Sequence, residues 1–196
     1  MTPGDQPPTP EHARHTTAHV YLKDFVYGAI DGTVTTFAVV AGVAGASLSV
    51  RIVMILGLAN LLADGFSMAV SNYLGTRAEE DLMRTSGAQA AGESSKTAFK
   101  AAAATFAAFV IVGAIPLLPY TPSLLGLLGD ARGTDAVFWW SVGATALAFA
   151  LVGALKSKTA GTPVARGAIE VLAIGGAAAV LAFLVGYLLR NIGIEG

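Results

Sequence analysis

Residues 26–45 read VYGAIDGTVTTFAVVAGVAG, and this run decides the fold class. It holds one charged side chain, Asp31, among apolar and small residues. A helix of about 20 residues rises about 30 Å, the thickness of the hydrocarbon core of a bilayer. Four further stretches have similar character, so five spans are expected at about 25–46, 51–73, 98–118, 137–155 and 168–189. The whole chain of 196 residues is 54% hydrophobic and only 13% charged, against roughly a quarter charged in ordinary soluble domains. A water-soluble fold of this composition would lack the polar surface to cover its core, whereas lipid removes that demand. The expected fold class is therefore all-α, an integral membrane protein with five transmembrane helices.

Working outward, residues 1–20 carry Pro3, Pro7, Pro8 and Pro10 and no apolar run. They lack the pattern of a secretory signal and read as a disordered tail ahead of a membrane domain over 21–196. His12, His15 and His19 fall at i, i+3 and i+7 near the end of that tail. On a short helix they would share a face able to bind a metal; the other reading is a solvated segment entering the first span. Segment 119–136, with Pro122, Gly126, Gly129, Asp130 and Arg132, reads as a loop.

Lys and Arg mark the orientation. Nine of the twelve fall in alternate connections: Arg14 and Lys23 before the first span, Arg77, Arg84, Lys96 and Lys100 after the second, and Lys156, Lys158 and Arg166 after the fourth. The expectation is a cytosolic N-terminus and a C-terminus outside. Trp139 and Trp140 then open the fourth span at the outer interface, where amphipathic rings settle. The absence of cysteine excludes disulfides, thiolate metal sites and thiol nucleophiles.

At about 100° per residue, Gly28, Thr35, Ala38, Gly42, Gly45 and Ala46 fall within about 60° of Asp31. The acid thus shares its face with small residues that permit close helix approach. A carboxylate at membrane depth costs about 2.5–3.5 kcal/mol on insertion scales, so it must face protein, water or an ion. In the second span Asn60, Asp64 and Met68 recur at i, i+4 and i+8, with Ser67 and Ser71 beside them. Oxygen ligands alone suit magnesium or calcium; a polarizable thioether tilts the set toward borderline metals such as iron(II). The competing reading makes Met68 core filler and each aspartate a structural hydrogen-bond partner.

The same stretch at 26–45, together with GLANLLADGFSMAVSNYLGTRAE at 57–79, resembles the vacuolar iron transporter family, which includes yeast-type vacuolar importers and nodulin-21-like plant proteins. Weaker agreement continues at Pro116–Pro119 and at Arg166–Glu170, so the resemblance covers nearly all of 20–190. It implies a five-helix homodimer whose ion path runs at the dimer interface, lined by Asp31 and Met68. It also implies iron(II) or manganese(II) leaving the cytosol in exchange for protons. Asn60 stands where longer members have glutamate, and Asp64, where they have glycine, supplies a carboxylate one turn away. Longer relatives insert a glutamate-rich domain after the second span; here about 24 residues, 74–97, join the spans, so no separate metal-binding domain is expected. Glu79 and Glu80 are candidates for a weak cytosolic funnel, or else an ordinary solvated helix end balanced by Arg77 and Arg84.

Crowded carboxylates in low dielectric exchange protons for a divalent cation, which makes antiport a property of the site. The expected partners are divalent metal ions, protons, the lipid bilayer and a second copy of the chain, with no nucleic acid and no permanently bound cofactor. A membrane enzyme finds no support, since no histidine lies within a span and neither H-E-x-x-H nor a phosphate-cradling loop occurs. A non-transporting structural protein and a carrier of another cation stand as rivals. The Ala- and Gly-rich composition points to a bacterial cell membrane.

Overall fold

In hydrocarbon no water satisfies a free backbone N–H or C=O, so apolar runs of this length resolve into helices. The computed structural model describes residues 10–85, 97–125 and 134–192, and no strand occurs among them. The elements are α1 (Pro10–Gly45), α2 (Val50–Thr85), α3 (Ala98–Gly113), a 3-10 segment η1 (Ile115–Tyr120), α4 (Thr121–Leu124), α5 (Thr134–Ala160) and α6 (Val164–Asn191). Five stretches are long and apolar enough to cross a membrane: Tyr21–Gly45, Val50–Thr85, Ala98–Ser123, Ala136–Ala160 and Val164–Asn191.

Three boundaries differ from the sequence reading. α1 begins at Pro10, so residues 10–20 are helical and continuous with the first span; residues 1–9 and the side chains of His12, His15 and His19 lie outside the described residues. α2 runs on to Thr85, twelve residues beyond 73, because TRAEEDLMRT has strong helix formers and no Gly or Pro to stop it. The remainder of that connection, 86–96, lies outside the described residues. After α3, Pro116 and Pro119 do not release the chain into a loop. They tighten it into η1, which leads directly into α4; Pro116 sits in the first turn of η1, where a missing N–H is tolerated, and Pro119 lies within it.

α1 is the hub, packing on α3 and α6 and also touching α2, α5 and η1. Its neighbours fix the helix directions. Gly28 lies against Thr105 and Gly32 against Phe109, so α1 and α3 run parallel; Gly42 and Gly45 meet Ala182 and Phe183, so α6 runs parallel as well. A Cβ on Gly32 would stand 2.6 Å from the Phe109 carbonyl oxygen, which explains the need for glycine where two backbones approach this closely. α2 and α5 run the other way. The largest buried cluster includes Phe37, Val40, Val53, Leu117, Tyr120 and Phe149, joining α1, α2, η1 and α5.

At the end of the bundle away from the N-terminus, four residues, 46–49, join α1 to α2. Ser47 takes a left-handed backbone conformation there (φ 56°), and its hydroxyl accepts a hydrogen bond from Arg190 of α6. Trp139 and Trp140 are exposed at the start of α5, near that same end.

The bundle is unevenly covered. The α1 span is 56% buried within the chain, whereas the spans of α2 and α6 are 28% and 17% buried. Leu62, Phe66 and Leu74 of α2 and Ile174, Leu181 and Val185 of α6 are exposed large apolar side chains. Such faces require lipid or another apolar partner.

Candidate functional site

The antiparallel seam between α1 and α2 carries the chemistry-bearing side chains. Asp24 is 7% exposed and accepts a 3.1 Å hydrogen bond through Oδ1 from Asn72 Nδ2. The same amide nitrogen donates to Thr105 Oγ1 of α3 at 2.7 Å, and Thr105 passes its own proton to the Ala101 carbonyl at 3.0 Å. Thr76 completes the group by donating to Asn72 Oδ1 at 3.5 Å.

Two turns further along α1 is the half-buried Asp31, which the antiparallel register of the Asp24–Asn72 bond puts about level with Asp64 of α2. Among the described residues neither takes part in an ion pair. A register that joins 24 to 72 and 31 to 64 places Met68 level with Gly28, and Asn60 level with Thr35. Thr35 turns its hydroxyl back to the Asp31 carbonyl at 2.9 Å, as hydroxyls in membrane helices commonly do. Asn60, Asp64 and Met68 are all partly exposed, as expected for one stripe at i, i+4, i+8, and Ser67 and Ser71 are exposed beside them.

The seam therefore brings together Asp31 and Asp64, with Asn60 and Met68 on the α2 side one turn to either side. Glu79 and Glu80 are not part of it. They lie on the extension of α2, fifteen and sixteen residues past Asp64, or about 22–24 Å along the axis. Glu79 is exposed and Glu80 half-buried, near the N-terminal end of the bundle.

Two carboxylates, an amide oxygen and a thioether form a mixed oxygen and sulfur donor set. It is an incomplete one within a single chain: among the described residues no three His, Asp or Glu side chains converge to hold a metal. The sequence reading missed Asp24, Asn72 and Thr105. A signal existed, since Asn72 continues the 60, 64, 68 spacing by one more turn, and Asp24 precedes Asp31 by seven residues, about 20° off the same stripe. Thr105, in an alanine-rich helix, gave none.

Fold and site together define a polytopic α-helical membrane protein with a carboxylate-bearing seam between its first two spans. The model of the VIT family matches residues 22–93 and 83–187, and the chain belongs to that family. Among curated relatives, a vacuolar iron transporter of Toxoplasma gondii is 48% identical over 67 residues, covering 34% of this chain and 22% of that protein. Vacuolar iron transporter 1 of Arabidopsis thaliana is 38% identical over 68 residues, 35% of this chain and 27% of that protein. Vacuolar iron transporter homolog 4 of the same plant is 29% identical over 161 residues, covering 80% of this chain and 77% of that protein. The first two alignments thus span about a quarter of the relatives' own length.

Proposed function

We propose that this chain carries iron(II) or manganese(II) out of the cytosol in exchange for protons, acting as a homodimer in a bacterial cell membrane. The observation that carries the reading is the pair Asp31 and Asp64, which the register of the Asp24–Asn72 bond puts at about one level of the α1–α2 seam within the spans, with no ion pair to either among the described residues. A carboxylate used only to hold helices together would lower its insertion cost by pairing with a cation or a donor. Two acids at one level instead favour a divalent cation between them, with protons as the alternative occupants. Met68 on the same stripe supports a borderline metal over magnesium or calcium. The relatives' names, which specify iron, support that choice.

The homodimer rests on exposure. Asp64 is partly exposed on a helix that also exposes Leu62, Phe66 and Leu74, and a second copy across that face would cover the acid and double the donor set. The cytosolic end is assigned to the N-terminus by the distribution of Lys and Arg, which makes Glu79 and Glu80 a weak funnel at the entrance.

The test is metal uptake into proteoliposomes with an acidic lumen. Entry of iron(II) or manganese(II) coupled to proton exit, and impaired by Asp31→Asn and by Met68→Ala, is the expected result. A folded dimer that moves no metal would make Asp31 a structural acid and would remove transport from this chain alone.

A further inference from the structure

Asn72 has a place in the bundle that neither the ligand set nor the insertion cost of the acids accounts for. Its amide nitrogen is shared between Asp24 of α1 at 3.1 Å and Thr105 of α3 at 2.7 Å. Its oxygen is met by Thr76 of its own helix at 3.5 Å. Thr105 and Asp24 are buried, at 0% and 7% exposure, and Gly28, one turn along α1, brings that backbone against the Thr105 carbonyl. One side chain therefore ties three helices together at a single level. That level lies seven residues, about 10 Å, from Asp31 along α1, and eight residues, about 12 Å, from Asp64 along α2.

The two arms differ in what they can do. The arm to Thr105 joins α2 to α3 and reaches α1 only through the packing of Gly28 on the Thr105 backbone. The arm to Asp24 fixes how far α1 slides and turns against α2, and hence the spacing of Asp31 and Asp64 two turns away. Buried helices transmit such a shift because packed interiors do not deform smoothly. We infer that Asn72 is a positioning residue of the metal site: through Asp24 it sets the register of α1 on α2 that holds Asp31 opposite Asp64. The inference rests on the transport reading above and adds to it a residue that never touches the metal.

The chain lacks cysteine, and transport can be read in proteoliposomes for three variants beside the unaltered protein. Asn72→Ala removes both arms, Thr105→Val only the arm to α3, and Asn72→Gln keeps the amide on a longer stem. Loss of an outer-shell partner typically weakens metal affinity by about 10–100-fold. The expected result for Asn72→Ala is a KM for metal raised about tenfold with maximal rate within about twofold. Thr105→Val should lose thermal stability to a similar degree yet keep its KM within about twofold. Partial recovery of KM in Asn72→Gln would add support, because the amide, not the packing, is then the active feature. If Asn72→Ala and Thr105→Val move KM together, as they move stability, Asn72 is a structural clasp and the inference fails. It fails equally if Asn72→Ala keeps its KM. Absence of uptake by the unaltered protein would instead overturn the transport reading, which separates the two failures.

Discussion

The α1–α2 seam and the α5–α6 seam are built alike and charged in opposite ways. Both join antiparallel helices, and small residues mark where backbones meet within the α5–α6 seam and, beside the α1–α2 seam, where α1 meets α3. Gly153 stands against Gly167 and Gly175 lies under Phe149 in the α5–α6 seam, much as Gly28 and Gly32 receive α3 beside the other. In the α5–α6 seam the acid is neutralised: Glu170 takes Lys156 at 2.8 Å and Arg166 at 3.3 Å. In the α1–α2 seam Asp31 and Asp64 stand at about one level, and neither has an ion-pair partner among the described residues. A sequence selected only to hold five helices in a bilayer has the solution of the second seam available to it. On the proposed reading, the seam that keeps the costlier arrangement is the one a divalent cation would occupy.

The comparison is broken most directly by neutralising one acid from each seam. Asp31→Asn should reduce metal uptake by about a hundredfold or more, since an amide offers no charge to a divalent cation. Glu170→Gln should leave uptake within about twofold, because its partners are half-exposed and its charge serves only Lys156 and Arg166. Asp64→Asn sharpens the point. If it leaves uptake unchanged while Asp31→Asn abolishes it, then Asp64 supplies no carboxylate to the metal, and the common level of the two acids loses its meaning.

Close packing should cost alike within the α5–α6 seam and at the α1–α3 contact beside the α1–α2 seam. A Cβ at Gly32 would stand 2.6 Å from the Phe109 carbonyl oxygen, and one at Gly153 would press on the Gly167 carbonyl. Because the obstacle in each case is backbone, Gly32→Ala and Gly153→Ala should each cost about 1–3 kcal/mol. Gly176→Ala, where nothing lies within 4 Å, should be neutral or slightly stabilising. Thermal unfolding in detergent measures all three. A Gly32 variant as stable as the Gly176 variant would mean that α1 and α3 separate more readily than their contacts imply.

What the sequence made legible follows from which interactions are local. Five spans, their alternation and the stripe of Asn60, Asp64 and Met68 could be read from composition and a 3.6-residue period, because each is a property of one helix. The extension of α2 to Thr85 was hidden, since a charged run after an apolar one looks the same as a loop until its helix propensity is weighed. The bridge from Asp24 through Asn72 to Thr105 joins three helices, and no single-helix periodicity reveals a partner on a third. Asp31 and Asp64 lay between these cases: each was legible on its own helix, whereas their common level needs the register of α1 on α2 that the Asp24–Asn72 bond supplies.

Met68 offers a finer comparison within the first seam, between charge and softness. Magnesium and iron(II) share a charge, so the two aspartates attract both; the thioether favours only the softer ion. Met68→Ala should therefore narrow the preference for iron(II) over magnesium by roughly tenfold while leaving proton coupling intact. Competition of magnesium against iron(II) uptake in the same vesicles reads this out. A preference that stays unchanged would take selectivity away from Met68.

The smallest effect belongs to the neutralised seam. Lys156 and Glu170 are 42% and 43% exposed along their side chains, and Arg166 is 72% exposed, so water competes for every member of the group. Exposed pairs of this kind contribute little, because side-chain ordering offsets most of the attraction. Lys156→Met should leave the thermal midpoint in detergent unchanged within error, since Arg166 still serves Glu170. A clear loss would show that water is kept from this end of the α5–α6 seam in the membrane. In that event the ion group is a structural bolt, and the contrast between the seams becomes one between an acid held by protein and an acid held ready for metal.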